Sequence, residues 1–198
     1  MNIRRANEKD IPRLIELLEQ VLQIHADIRP DIFIPGTTKY TEDELKEMLK
    51  DDTKPVYVAA DENDVCLGYA FCQLKQQPFS NNMVPFTSLF IDDLCVDAKT
   101  RGQHVGESLF EYVKGEAKRL GCYEVTLNVW AGNTSAEKFY EKMGLKTKEG
   151  IYIVENEKWE IHMCLQEIKD EIIDAGKESV DIVNIGLHFF LKDVRPML

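Results

Sequence analysis

The sequence contains no C-x-x-C pair, and its five cysteines, Cys66, Cys72, Cys95, Cys122 and Cys164, are scattered, four of them in apolar or strand-like stretches. That distribution argues against a disulfide frame or a zinc site and fits buried free thiols. The four histidines, His25, His104, His162 and His188, lack ligand spacing, so no metal is expected. Positive charge is also short: 24 Lys and Arg stand against 35 Asp and Glu, a net charge of −11. This opposes nucleic acid as a partner, because phosphate backbones are bound by basic surfaces. It suits solubility and is compatible with a cationic substrate drawn in by the overall field. No apolar run is long enough to span a bilayer, and the opening MNIRRANEKD lacks the apolar core of a signal peptide. No membrane association is therefore expected, and the expected location is the cytoplasm. Internal repeats, low-complexity tracts and the phosphate-loop spacings G-x-x-x-x-G-K-[ST] and G-x-G-x-x-G are missing as well.

What is present is a chain of 198 residues, 44% hydrophobic, long enough to bury a substantial core. Asn2–Arg5 predicts a short strand. Ile11, Leu14, Ile15, Leu18, Val21 and Leu22 recur at helical spacing and predict a helix over 8–25, with Pro12 in its first turn. Residues 24–39, with two prolines and a glycine, read as a loop, either a surface connection or a place of substrate selection. Thr41 with Glu44 three residues on is a capping-box pattern and opens a helix to about Lys50. Strands are predicted over 56–60 and 66–76, joined at Glu62-Asn63-Asp64, and over 87–96. A helix over 105–120 ends at Gly121, a strand covers 124–130, and Asn133 caps a short helix ending near Met143-Gly144. Residues 148–154 and 159–165 read as a last hairpin. Beyond it, Ile168, Ile172, Ile173, Val180, Val183, Leu187, Phe190, Leu191 and Val194 suit one or two amphipathic helices interrupted near Gly176. Such an apolar face must be buried, against its own domain or in a homodimer.

The stretch 91–120 organises the rest. An apolar, β-prone run ends in a polar turn, and a helix starts just after Arg101-Gly102-Gln103-His104-Val105-Gly106. A strand, a tight turn and a helix N-terminus aim unpaired N–H groups and the positive end of a helix dipole at one spot, where a pyrophosphate can bind. Small turn residues let the backbone approach the phosphates, and Arg101 can add a charge-assisted contact.

This turn resembles the acyl-CoA-binding motif of the GCN5-related N-acetyltransferase (GNAT) family, which runs Arg or Gln, two residues, Gly, one residue, then Gly or Ala. Arg101 and Gly106 fill the first and last positions, and His104 stands where the family has its middle glycine. A second stretch, NVWAGNTSAEKFYEKMGL from Asn128, is similar to the family's later motif: Asn133, Ala136, Phe139, Tyr140, Gly144 and Leu145 occupy its positions in order. The resemblance covers roughly the first five-sixths of the chain by pattern. It implies an α/β fold, the GNAT acyl-CoA N-acyltransferase fold with its mixed sheet, over residues 1–165, followed by a C-terminal helical extension over 166–198. It also implies acetyl-CoA as donor, a small-molecule primary amine as acceptor, and direct transfer in a ternary complex.

Roles follow from the same likeness. The backbone of Leu94, Cys95 and Val96 is expected to hold the pantetheine arm, with a main-chain N–H polarising the thioester carbonyl, and Asn133 to hydrogen-bond that arm. Arg101, Gly102, Gln103, His104, Val105 and Gly106 are expected to hold the pyrophosphate, His104 through its backbone alone. Tyr140, at the family's Phe-Tyr position, is the candidate acid for the leaving sulfur; the competing reading is a packed aromatic with a satisfied hydroxyl. Asp92 and Asp93 resemble the acidic pair of polyamine and glucosamine-phosphate acetyltransferases and point to opposite faces if the strand is regular. Asp92 is the candidate base or, with Asp93, a substrate anchor; a solvated edge pair or an interface contact is the alternative. Cys95 as a nucleophile has no His–acid pair beside it in the sequence, so a buried thiol is expected. The rival functions are a non-catalytic acyl-CoA sensor, which His104 favours, a protein or peptide N-acetyltransferase, and a nucleotide-binding regulator.

Overall fold

The computed structural model describes residues 1–78 and 80–148; all but the last two belong to one unit, Met1–Lys146. The expected last hairpin, the boundary after residue 165, the helical extension and the homodimer face it would form lie outside the described residues. No helix among the described residues is long and apolar enough to cross a membrane.

The chain opens with β1 (Asn2–Arg5). Asn7 then caps a 3-10 turn, Glu8–Asp10, its side chain accepting from the Lys9 N–H while the Asp10 carboxylate accepts from the Asn7 N–H. Helix α1 (Ile11–Ile28) follows with Pro12 in the first turn and Leu14, Leu17 and Leu18 fully buried on one stripe. The helix does not end at His25 as expected. Ala26 is also buried, and the Arg29 N–H closes the last turn on the His25 carbonyl. The stop comes from Pro30, whose ring disfavours helical geometry at the preceding residue; Arg29 lies at φ −133°, ψ 69°. Helix α2 (Glu42–Leu49) carries the expected capping box, with Thr41 Oγ1 accepting from the Glu44 N–H and the Glu44 carboxylate accepting from the Thr41 N–H.

Among the described residues five strands form one mixed sheet in the order β1-β2-β3-β4-β5, with β2 (Val56–Ala60), β3 (Cys66–Gln76), β4 (Thr87–Val96) and β5 (Glu124–Leu127). Pairings β1–β2, β2–β3 and β3–β4 are antiparallel, and β4–β5 is parallel. A parallel pair needs a crossover, supplied by α3 (Val105–Arg119). Helix α4 (Thr134–Lys142) follows β5.

Both faces of the sheet are covered. Leu14, Leu17 and Leu18 of α1 and Leu45 of α2 pack with Val56, Val58, Tyr69, Phe71 and Cys95 on one face. On the other, Phe110, Val113 and Ala117 of α3 pack with Tyr57, Ala70, Cys72, Leu89 and Ile91, joined by Phe139, Tyr140 and Met143 of α4 and its end. Two-sided burial accounts for the unbroken apolar run of β2. Close contact between β3 and β4 requires glycine at position 68, where a Cβ would lie 2.7 Å from the Cys95 carbonyl oxygen.

Strand β5 ends at Leu127, shorter than the expected 124–130. Its pairing with β4 runs only from Ser88↔Glu124 to Ile91↔Leu127, so the apolar residues beyond have no ladder to join.

Candidate active site

Strand β4 pairs with β3 along its whole length but with β5 only as far as Ile91. From Asp92 to Val96, the edge of β4 that faces the β5 side has no ladder partner among the described residues. Unpaired N–H and C=O groups on such an edge need partners, and an extended ligand with amide groups can supply them.

The divergence coincides with a β-bulge. Cys72 faces Ile91 and Phe71 faces Asp93, so Asp92 is the extra residue of β4. The expectation of opposite faces for Asp92 and Asp93 is thereby corrected. Asp93 lies across from Phe71, on the α1 face. Asp92 Oδ2 accepts from the Tyr40 hydroxyl at 2.8 Å and from Lys39 Nζ at 2.7 Å, and Tyr40 packs on the same face. One inserted residue therefore turns alternating side chains into a carboxylate pair.

One tyrosine hydroxyl meets each acid. Asp93 Oδ2 accepts from the Tyr69 hydroxyl at 3.0 Å, and the Phe71 ring lies between Tyr40 and Tyr69 at 5.5 and 4.8 Å. Burial pushes the Asp93 carboxyl up to about 6, with Asp92 adding to the rise; Lys39, the Tyr69 hydroxyl and the Leu94 N–H pull the other way. Burial, then the acid each one faces, raises the phenols of Tyr40 and Tyr69, so both remain donors.

Tyr140 stands on the other face. Its ring meets Phe110 at 6.2 Å and Phe139 at 5.1 Å, and its hydroxyl has no hydrogen-bond partner among the described residues. Burial first, and the charge of Asp93 second, hold its phenol well above the ordinary value. It keeps its proton at neutral pH, as an acid must. Asn133 caps α4 by accepting from the Ala136 N–H at 3.2 Å through Oδ1, which leaves its amide nitrogen to donate elsewhere.

The turn between β4 and α3 carries the chain from the strand through a 3-10 turn to the start of a helix. Buried Asp97, tied to Arg13 and Gln20 of α1, caps the 3-10 turn Ala98–Thr100 by accepting from the Lys99 N–H. Arg101 and Gln103 are exposed, Gly102 has φ +80°, and α3 begins at buried Val105. Gly106 sits where a Cβ would lie 3.4 Å from Val96 and Phe139, which brings the start of α3 against both β4 and α4. His104 has left-handed backbone, φ +60°, which explains why glycine suits the position. Its ring is turned along α3, with Nδ1 2.9 Å from Glu107 Oε2, and Lys142 also bonds Glu107.

Cys95 is buried, its Sγ 3.5 Å from the Leu17 carbonyl, and burial pushes its thiol up to about 12. That environment opposes a thiolate nucleophile. Among the described residues no group of three His, Cys, Asp or Glu side chains could hold a metal ion.

The sequence reading missed Lys39, Tyr40 and Tyr69, which contact the acids across 53, 52 and 24 positions. The available signal was their setting, since Lys39 ends, and Tyr40 follows, the loop read as either a surface connection or a place of substrate selection. That loop is tied to the β5–α4 connection by Phe33, whose ring meets Trp130 at 5.4 Å and His25 at 5.1 Å, and by Arg29 over Trp130.

A free strand edge running into a helix N-terminus, with a protonated phenol nearby, fits a long ligand that carries amides at one end and phosphates at the other. A model of the acetyltransferase (GNAT) family matches residues 18–145. The glucosamine 6-phosphate N-acetyltransferase of Arabidopsis thaliana is 36% identical over 58 residues, 29% of this chain and 37% of that enzyme, so the match spans well under half of its length. The peptidyl-lysine N-acetyltransferase YjaB of Salmonella typhimurium is 27% identical over 148 residues, 74% of this chain and 83% of that protein. Among solved structures, a mutant of the BH1408 protein from Bacillus halodurans superposes with a TM-score of 0.75 at 26% identity, over 79% of this chain and 99% of that one.

Proposed function

The chain belongs to the GNAT family of acetyl-CoA-dependent N-acetyltransferases, and from that membership we propose that it acetylates a primary amine of a small polyamine-like or amino-sugar-like molecule by direct transfer in a ternary complex. The observation that carries the acceptor class is the β4 bulge, which sets Asp92 and Asp93 on one face where β5 leaves the sheet. Two carboxylates, each meeting a tyrosine hydroxyl, are a seat for a cation.

Acetyl-CoA supplies an acetyl group activated as a thioester. The free edge at Leu94, Cys95 and Val96 and the Asn133 amide hold the arm, and a main-chain N–H on that edge polarises the carbonyl. The turn from Arg101 through Gly102, Gln103, His104 and Val105 to Gly106 holds the pyrophosphate by its amides. An alkyl amine has a pKa near ~10 and must lose a proton before it attacks. Asp92 takes that proton, directly or through water, and Tyr140 donates its own to the departing sulfur. Asp93 anchors the cation beside it.

A second reading, transfer to a lysine side chain of a peptide, is favoured by one observation: the cation that Asp92 already holds is the ε-ammonium of Lys39. The Salmonella relative's peptidyl-lysine activity points the same way.

Calorimetric titration with acetyl-CoA, followed by separate panels of diamines, amino sugars and lysine peptides, tests both. Consumption of acetyl-CoA with a diamine or amino sugar supports the small-molecule reading, and consumption only with peptides replaces it by the second. Binding without consumption by any panel would leave a sensor. Tyr140→Phe is expected to lower kcat by about 100-fold or more while coenzyme affinity stays within about twofold. Unchanged kcat would remove Tyr140 from the acid's role.

A further inference from the structure

Lys39 carries a primary alkyl amine, the functional group of the proposed acceptor, and its Nζ lies 2.7 Å from Asp92 Oδ2. The position is built. Tyr40 follows in the chain, bonds the same carboxylate oxygen and packs against Phe71, while the Thr38 hydroxyl donates to the Tyr40 carbonyl at 3.0 Å. Nζ also lies 5.4 Å from the centre of the Tyr40 ring. Other lysines pair differently. Lys46 and Lys114 bond acids on their own helices, Lys50 just past α2 bonds Glu47, and Lys142 bonds Glu107 at the start of α3. Among the described ion pairs, only that of Lys39 ends on the carboxylate beside the free edge of β4.

We propose that Lys39 is a modification site of this protein, acetylated on Nζ in cis by its own active site; the proposal rests on the N-acetyl-transfer reading above. In the step, Asp92 removes one proton from the ammonium, and the freed lone pair forms the new N–C bond to the acetyl carbon. The C–S bond breaks, the sulfur takes the Tyr140 proton, and the second nitrogen proton returns the Tyr140 phenolate to the phenol. The products are Nε-acetyl-Lys39 and CoA, with one proton released once Asp92 returns to its carboxylate. An amine tethered within the fold reacts at high effective concentration, so no second substrate has to bind. The product is neutral. Asp92 loses its ion pair, and the two carboxylates become a seat with no internal cation, better suited to an acceptor that carries two charges. Acetylation would thus clear the acceptor site of its resident ammonium.

The test incubates the full chain with acetyl-CoA alone and maps acetyl groups by peptide mass spectrometry, with CoA release followed in parallel. One acetyl per chain is expected on Lys39, arriving at least about tenfold faster than on exposed Lys99. Tyr140→Phe should slow it by about 100-fold with the fold intact by circular dichroism, and Lys39→Arg should remove that single acetyl and nothing else. In steady state, Lys39→Gln, which mimics the neutral product, should lower KM for a diamine several-fold. The proposal is overturned if Lys39 is acetylated no faster than Lys99, or as fast in Tyr140→Phe or in unfolded chain. Turnover of an amine panel with Lys39 unmodified sinks this inference alone; acetyl-CoA left intact by Lys39 and by every panel sinks the proposed function with it.

Discussion

Asp93 is a carboxylate that the fold holds against its preference. Its free pKa is about 3.9, and in the folded protein burial lifts it to about 6. Between those values the folded state binds the extra proton, so stability falls as pH rises through the window and stays low above it. Asp93→Asn keeps an oxygen for the Tyr69 hydroxyl and removes the charge. Urea denaturation across pH 4 to 8, a range of about 4 units around the window, should show the wild type losing stability on the order of 1–3 kcal/mol relative to the variant. A constant difference across that range would mean that Asp93 does not titrate there. The cost is intelligible if the site exists to be neutralised by a cation, since functional sites commonly hold groups that stability alone would not select. At this scale Tyr140, Asn133 and Asp92 stand out as candidates in the sequence because they lie in motifs or beside one. Lys39, Tyr40 and Tyr69 do not, because nothing within a few residues of them in the chain indicates which carboxylate they will meet.

Among the elements, the β4 bulge and the start of α3 decide the site. A bulge leaves little trace in a pattern of apolar residues, and the run Ile91-Asp92-Asp93-Leu94 reads equally well as regular strand. Position 104 is the converse case: the motif marks it as a glycine place, and the left-handed backbone supplies the reason. His104→Gly should therefore stabilise the protein by roughly 1 kcal/mol, since the exposed contact with Glu107 that it gives up is weak. If the turn binds phosphates through its amides, coenzyme affinity measured by calorimetry should stay within about threefold. A tenfold loss would show that the imidazole leaves Glu107 to contact the phosphates. Helix α1 outran its expected end for a local reason, the proline at position 30, while β5 fell short for a non-local one, the end of its pairing with β4.

At the scale of the whole molecule, the chain carries a net charge of −11, and the proposed acceptor site adds two carboxylates of its own. Such a field accelerates the encounter with cations and is screened by salt. kcat/KM for a diamine should fall several-fold between about 20 and 300 mM salt, whereas an acceptor of zero net charge should be nearly insensitive. Equal sensitivity would trace the effect to the anionic coenzyme instead. The sequence by itself determined the elements and their caps, because apolar period, proline, glycine and capping residues act within a few positions of one another. It also carried the motifs that mark Tyr140 and the turn proposed to bind phosphates. Only the tertiary structure decided that β4 and β5 part at Ile91, that Asp92 and Asp93 share a face, and that Lys39 already occupies the place proposed for a substrate amine. Those outcomes depend on strand register and on contacts across some fifty residues of chain, which no local pattern encodes.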